Sequence, residues 1–368
     1  MLESPSLLLT LFAFLLMIGP LIVIHELGHY WAGRLCGVRA LTFSVGFGKE
    51  LWHRIDKRGT RWRIAAFPLG GYVQFAGDAD ASSRPDPALE GASPDALKGT
   101  LPGAKLSHKM FISFAGPLAN LVTAVVIFAG FAAVYGTLYA PPVVGRFADN
   151  SAAQAAGVQL GDRIIAIDGA KVSDFADIAP RVALYPGQTL NVQIERAGRN
   201  FELPVTIKLV TEQDRFGNSY QRGLMGIGGT DPEVRQLNPL AAVGFGVEET
   251  WKQIRTTAIA LKQMVVGERS VTDLSGLPRT AKVSGEMMAL GWFAFIQFIA
   301  FVSINLAFIN LLPIPTLDGG HLAIYAAEAV RRKPLDIRSQ EWAFRIGMGF
   351  VLALAVFVTL NDLTQMFL

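Results

Sequence analysis

Cysteine is almost absent. Cys36 is the single one in 368 residues, so the chain can form no disulfide within itself and no metal site built from cysteines alone. Charge is scarce as well: 17% of residues are charged, below the roughly 25% usual in soluble domains, which argues against a soluble globular protein. Neither sign dominates. The 33 Lys and Arg against 30 Asp and Glu leave +3, too small an excess on a chain of this size to expect nucleic acid as a partner. No basic stretch precedes the first hydrophobic run, where Glu3 is the only early charge. A cleaved signal peptide would open on such a stretch, so this run is read as a retained helix. What is plentiful is apolar: 51% hydrophobic residues, 24 Phe, 37 Gly and a mean hydropathy of +0.36. That composition suits membrane helices packed through small residues.

A span through the lipid core takes about 20 mostly apolar residues. Four stretches meet this length, at about residues 7–35, 111–139, 290–312 and 344–360, the first with Gly19 and Pro20 as a kink. The expected fold is therefore a polytopic α-helical membrane protein with four transmembrane helices. Lys and Arg gather in the first connection, from Arg34 and Arg39 to Lys105 and Lys109, and in the third, at Arg331, Arg332, Lys333 and Arg338. By the positive-inside rule both connections are cytoplasmic. Both termini and the long middle segment then lie outside.

Residues 1–140 form the first half of the membrane domain. Between its two spans, residues 41–75 are rich in aromatic and β-branched side chains with Gly46, Gly48, Gly70 and Gly71 at bends, which predicts a membrane-associated β-hairpin region. Residues 78–103, rich in Asp, Ala, Ser, Pro and Gly, read as a mobile loop. Residues 141–229 alternate strands with turn signals at Asp168-Gly169, Pro186-Gly187 and Ala197-Gly198, and carry helical pieces at 151–156 and 175–184; this is a small outer α+β domain. Residues 230–288 are an outer linker with an amphipathic helix lying on the membrane surface. The second half of the membrane domain is 289–368.

The segment His25-Glu26-Leu27-Gly28-His29 is an HExxH pattern. On a helix, positions i and i+4 share a face, so both imidazoles can reach one zinc ion and Glu26 can act on water there. Its bland reading is a polar patch at a helix end. The intramembrane position weighs against that, because ionisable residues within a span are costly and default to function. A catalytic zinc commonly takes a third protein ligand. The strongest candidate is Asp318, after a third span broken by Pro313 and Pro315, since alternate orientation brings that end to the same side as the histidines. Capping of the following helix is its competing role. His321 is an alternative ligand, more readily a supporting residue, while His53 and His108 lack metal spacing. Asn310, an amide within a span, either packs or meets a substrate backbone.

HELGH in the first span, Gly116-Pro117-Leu118-Ala119-Asn120 in the second and NLLPIPTLDGGH after the third together resemble the site-2 protease family of intramembrane zinc metalloproteases, in its bacterial regulator-of-sigma-E protease branch. Residues 156–164 with Ile167-Asp168-Gly169 resemble a circularly permuted PDZ domain, present here once where better-known members carry two. The resemblance implies zinc ligands His25, His29 and Asp318, Glu26 as catalytic base and Asn310 in substrate handling. It implies regulated proteolysis of single-pass membrane proteins in the bacterial inner membrane, with anti-sigma factors cut beforehand on the outer side and remnant signal peptides as candidate substrates. Tyr72, Val73 and Gln74 are candidates to receive the substrate backbone by strand addition. The PDZ-like domain is expected to exclude bulky substrates or to bind a carboxyl terminus. This branch often carries Ser-Gly-Pro before the third span, where this chain has Ser275-Gly276-Leu277-Pro278.

Overall fold

The computed structural model describes residues 5–80, 86–89, 91–183, 185–213, 219–267, 274–333 and 335–367. Parts of the loop expected over 78–103 and of the linker expected over 230–288, and Leu184 of an expected helical piece, lie outside the described residues. In chain order the elements are α1 (Leu7–Leu35), β1 (Ala40–Ile55), β2 (Arg61–Phe75), α2 (Leu106–Tyr135), β3 (Thr137–Tyr139), β4 (Val144–Phe147) and α3 (Ala152–Ala155). There follow β5 (Arg163–Ile167), β6 (Ala170–Lys171), α4 (Ile178–Ala183), β7 (Thr189–Arg196), β8 (Arg199–Thr206), β9 (Lys208–Gln213), β10 (Ser219–Leu224), β11 (Ile227–Gly229) and β12 (Glu233–Arg235). The chain closes with α5 (Pro239–Val266), α6 (Leu277–Ala289), α7 (Trp292–Asn310), α8 (Asp318–Arg331) and α9 (Ile337–Phe367). Two compact units result, Met1–Gly130 with Pro239–Leu368 and Phe131–Asn238.

Among the described residues, four helices are long and apolar enough to cross a membrane: α1, α2, α7 and, over Ser339–Thr364, α9. The second begins at Leu106 rather than at 111, and its expected last residues, 137–139, form β3 instead. Gly136, with φ +74°, stops the helix, and the extended Thr137–Tyr139 pairs with β12. A left-handed residue just past a helix is a common terminator, and glycine adopts it without strain.

In the first unit, Phe14, Met17 and Leu21 of α1 are buried with Phe295 of α7 and contact residues of α6. The segment Ser275-Gly276-Leu277-Pro278 opens α6, where the buried Asp362 of α9 accepts from Gly276 N–H at 2.8 Å and Arg279 N–H at 3.1 Å. A carboxylate on the free amides of a helix start is favourable. Expected as a helix on the membrane surface, α5 packs along two spans: Gly246 abuts Val125 O, Ile254 joins Ala124, Ala300 and Ile304, and Thr257 donates to Asn305 at 3.3 Å. From Gly246 to Thr257 these contacts cover about 16 Å of helix.

The hairpin region is more folded than a plain two-stranded ribbon. Residues 42–45 of β1 are paired on one side with residues 61–64 and on the other with residues 71–74. The strands bend at Gly46, Gly48 and Gly70, all with positive φ. Phe43, Val73 and Phe75 on one face are buried with Tyr30 of α1 and Ile112 of α2, whereas Leu51, Trp52, Ile64 and Phe67 are exposed. The described end of the 78–103 segment is stitched to this sheet, Leu101 N–H donating to Ala76 O at 2.8 Å and Arg39 N–H to Gly99 O at 3.0 Å.

In the second unit, β6-β5-β7-β8 form an antiparallel sheet, joined by the pairs β9–β10, β4–β11 and β3–β12. Leu190, Val192 and Ile194 of β7 are buried at every second position, as a half-buried strand requires. They meet Ile164, Val205, Ile207 and Met225 in one core. The hairpins at Asp168-Gly169 and Ala197-Gly198 place both turn residues at positive φ, the geometry that two-residue loops favour. Asp162, with a side chain 1% exposed, receives two guanidinium bonds of 2.7 Å from Arg196. Burial pushes the Asp162 carboxyl up, but the Arg196 bonds and the Gln159 N–H outweigh it and hold the group below its ordinary value. A depressed carboxyl contributes stability above its unfolded pKa of about 3.9 and loses it as pH falls through the folded value. Arg196→Met should destabilise this unit by about 2 kcal/mol or more at pH 7, and the gap between wild type and variant should narrow below about pH 4. Hydrogen exchange of β5 and β7 amides across pH checks this, and a gap that widens on acidification would contradict it.

Candidate metal centre

Both histidines of the HExxH pattern lie on one face of α1, where His25 and Glu26 are buried. The break after α7 brings the third donor. Pro313 and Pro315 have no N–H to continue a helix, and the chain turns through Ile314 N–H to Leu312 O at 2.7 Å and Leu317 N–H to Ile314 O at 3.0 Å. Asp318 then opens α8 as its first residue, while Leu317 holds the cap position. The Asp318 carboxylate therefore does not act as the cap; it faces the histidines.

Asp318 Oδ2 stands 3.1 Å from His25 Nε2, Asp318 Oδ1 3.3 Å from His29 Nε2, and the two Nε2 atoms are 3.2 Å apart. Tetrahedral zinc with bonds of about 2.0–2.1 Å spaces its ligands by about 3.3 Å. The donor set and its spacing fit zinc. Among the described residues His25, His29 and Asp318 are the group of three or more such side chains arranged to hold a metal ion. As a ligand to a dication Asp318 would be a carboxylate and both imidazoles neutral.

The remaining ring nitrogens are also engaged. His29 Nδ1 donates to Ile112 O at 2.8 Å, and His25 Nδ1 lies 3.2 Å from the Asn120 amide. With Nε2 turned to a metal, Nδ1 carries the proton and needs an acceptor. A planar amide fills the same space in either orientation. With Nδ2 toward His25, Oδ1 is buried without a partner; with Oδ1 there, it accepts the imidazole proton. Asn120 is completely buried, and Ser303 Oγ donates to its backbone carbonyl at 2.8 Å. Gly116 is required by proximity, since a Cβ there would collide with the His29 ring.

A cavity of about 340 Å³ opens beside these residues. Glu26 lines it, with Val73 of β2 on the wall beside it. Gly71 lets β2 pass this close, because a Cβ would stand 3.0 Å from Glu26 Cγ. Of the residues expected to receive substrate, Tyr72, Val73 and Asn310 line the cavity. Gln74 does not, and its amide donates to Asp78 O at 3.4 Å. His321 lines the wall, its ring 5.0 Å from Phe344, outside the group of three. His53 pairs with Glu50 at 2.7 Å. Sequence reasoning missed Asn120 as a partner of His25 and Tyr325 as a wall residue; the first stood within the quoted GPLAN motif, where an amide inside a span was the available signal. Burial, with Asp78 and Glu328 nearby, raises the Tyr325 phenol above its ordinary value, so it stays protonated. Asn120→Leu should weaken zinc binding about 10- to 100-fold, read by chelator competition, while Asn120→Asp, which keeps an acceptor, should retain most of it. Unchanged affinity in Asn120→Leu would remove Asn120 from the support of His25.

The model of peptidase family M50 matches residues 13–354. A protein of Agrobacterium fabrum named "Putative zinc metalloprotease Atu1380" is 44% identical over 358 residues, covering 96% of this chain and 95% of its own length. Metalloprotease MmpA of Caulobacter vibrioides is 34% identical over 383 residues, covering 97% and 96%. A solved PDZ domain of the SdrC-like protein of Listeria monocytogenes aligns with 25% of this chain and 90% of its own at 19% identity and a TM-score of 0.20, a value that carries no argument. With a zinc-fitting centre in its first apolar helix and a family match over nearly its whole length, the chain belongs to peptidase family M50 and is a multi-pass, zinc-dependent membrane metallopeptidase.

Proposed function

We propose that this chain is an endopeptidase that cuts the transmembrane segment of single-pass membrane proteins within the bilayer, in regulated intramembrane proteolysis. The carrying observation is the placement of His25, Glu26 and His29 on a 29-residue apolar helix, with Asp318 completing the donor set. Substrates are of the anti-sigma factor type, cut beforehand on the outer side, and remnant signal peptides. Charge distribution supports the orientation: the basic connections face the cytoplasm, so the active site lies near that face of the bacterial inner membrane, and the termini and the PDZ-like unit lie outside.

Residues His25, His29 and Asp318 would hold zinc, which supplies a Lewis acid for the scissile carbonyl and makes water a stronger nucleophile at neutral pH. Glu26 takes the proton released by the attacking water and passes it to the leaving amine. Asn120 and Ile112 O keep the imidazoles in the tautomer that turns Nε2 to the site.

A transmembrane helix has its peptide groups paired internally, so a substrate must be unwound before it can be cut. The outer edge of β2 supplies replacement partners. Along this edge Phe75 N–H reaches Asp78 Oδ2 at 2.9 Å, while Ala76 N–H donates inward to Arg39 O at 2.8 Å. Odd-numbered residues therefore turn their amides away from β1. Addition of a substrate strand would give Val73 N–H a substrate carbonyl close to Glu26, the proposed base. Exposed Phe67, Ile64 and Trp52 suit a sheet that dips into lipid.

Glu26→Gln spares every ligand and removes the base. It should keep zinc while lowering cleavage of a labelled single-span substrate in proteoliposomes by at least about 100-fold; equal activity would sink the mechanism. Deletion of residues 143–227 behind a flexible bridge tests size exclusion by the PDZ-like unit: short-tailed substrates should still be cut and long-tailed ones become cleavable, whereas loss of both would assign it to substrate delivery. Val73→Pro removes the cavity-facing N–H without touching an amide turned toward β1, a position where proline is tolerated. Zinc content should stay normal and turnover fall at least about 10-fold, with Val73→Ala far milder. Normal turnover in Val73→Pro would remove strand addition.

A further inference from the structure

A second recess, about 390 Å³, opens where α1 ends, and Arg34, Arg39 and Arg58 line it together with Trp31 and Leu35. The local chain path explains the convergence. Gly37, with φ +75°, reverses the chain after α1, and Val38 N–H returns to Gly33 O at 2.9 Å. Val38 is buried. Arg39 is then held through its backbone, donating to Gly99 O at 3.0 Å and accepting from Ala76 N–H at 2.8 Å. Arg58 comes from the turn between β1 and β2.

Among the described residues no carboxylate forms an ion pair with any of the three guanidinium groups. Asp56 is the anion whose charge Arg34 feels. Its oxygens are occupied by Arg58 N–H at 2.8 Å, Thr60 N–H at 3.0 Å, Trp62 Nε1 at 3.1 Å and Tyr30 Oη at 3.4 Å. Asp56 keeps its negative charge, and the carbonyl end of α1 contributes about half of one more, against three positive ones. A net positive recess remains.

Its wall is also apolar. Trp31 is 55% exposed and Leu35 79% exposed, at the end of an apolar helix long enough to span a bilayer. Tryptophan favours the level of lipid headgroups, and basic pockets there bind anionic headgroups. Free phosphate would meet the arginines and leave Trp31 and Leu35 unused. The geometry points to a binding site for an anionic phospholipid, with Arg34, Arg39 and Arg58 on the headgroup phosphate and Trp31 and Leu35 against the acyl chain. This site requires only that α1 spans the membrane; it is independent of substrate and of which end faces inward.

The test uses the full chain, reconstituted in mixed phosphatidylcholine and phosphatidylglycerol, stripped with detergent and assayed for retained lipid. Wild type should retain phosphatidylglycerol above its input share. The triple variant Arg34→Gln, Arg39→Gln, Arg58→Gln should lose that enrichment at least about 10-fold, since each basic residue near an anionic surface adds about 1 kcal/mol. The control Arg331→Gln, Arg332→Gln, Lys333→Gln removes the same charge elsewhere and should leave enrichment unchanged. Zinc content reports folding for each variant, and Arg39→Gln alone, with about a 5-fold loss expected, serves if the triple variant misfolds. Equal loss in the control, or retained enrichment in both Arg39→Gln and the triple variant, would overturn the site. Displacement of the lipid by millimolar inorganic phosphate would overturn the lipid assignment in favour of a soluble anion.

Discussion

The His25 and His29 Nε2 atoms lie 3.2 Å apart, and each stands 3.1 to 3.3 Å from an oxygen of the Asp318 carboxylate, at a buried stretch of an apolar helix. Gathering acceptors this tightly away from water is unfavourable unless a cation shares them. A dication turns the same cluster into a tie between α1 and α8, which are far apart in sequence. The elements around it serve that closeness. Pro313 and Pro315 stop α7 so that Asp318 can reach back, and Gly116 lets α2 approach the His29 ring. Ile112 O and Asn120 then engage the outer nitrogens. Without the cation, α1 and α8 are still joined by the His25–Asp318 contact of 3.1 Å.

Cutting a transmembrane segment, as proposed, would also need a path for a peptide that begins with all its hydrogen bonds made. In that proposal the β2 edge supplies it. Gly71 allows that edge to run against Glu26, so the proposed base and the strand proposed to receive a substrate lie side by side along one cavity. Asp78 holds Phe75 N–H two residues beyond Val73. The free edge is thereby short and ends close to the base, which limits how many substrate residues it could extend and places them beside the reacting carboxylate.

Legibility in the sequence followed the range of the interaction. The i, i+4 histidines are local, and helical periodicity alone put them on one face. Asp318 required two steps, a helix break readable from its prolines and an orientation argument from alternating spans. The strands of the second unit were legible through their Asp-Gly and Ala-Gly turns. Gln74 was grouped with Tyr72 and Val73 because they adjoin in sequence; alternation puts it on the face of Tyr72, so what separates the two is where the cavity ends along β2, which no spacing encodes. Asn120 touches His25 across a helix crossing, a contact no spacing encodes. The end of α2 was misplaced for a related reason: residues 137–139 are apolar enough to continue a span, and their pairing with β12, distant in sequence, makes them a strand.

The cores of the two units share no residue. Every member of the larger buried cluster, from Val144 to Met225, lies within the second unit, while all three metal donors, Glu26 and Asn120 lie in the first. Close packing transmits strain only between groups in contact, and each unit is built on its own buried cluster. The three donors, Glu26, Asn120 and the Ile112 carbonyl that engages His29 all belong to the first unit, so every contact described around the metal centre comes from that unit's own residues.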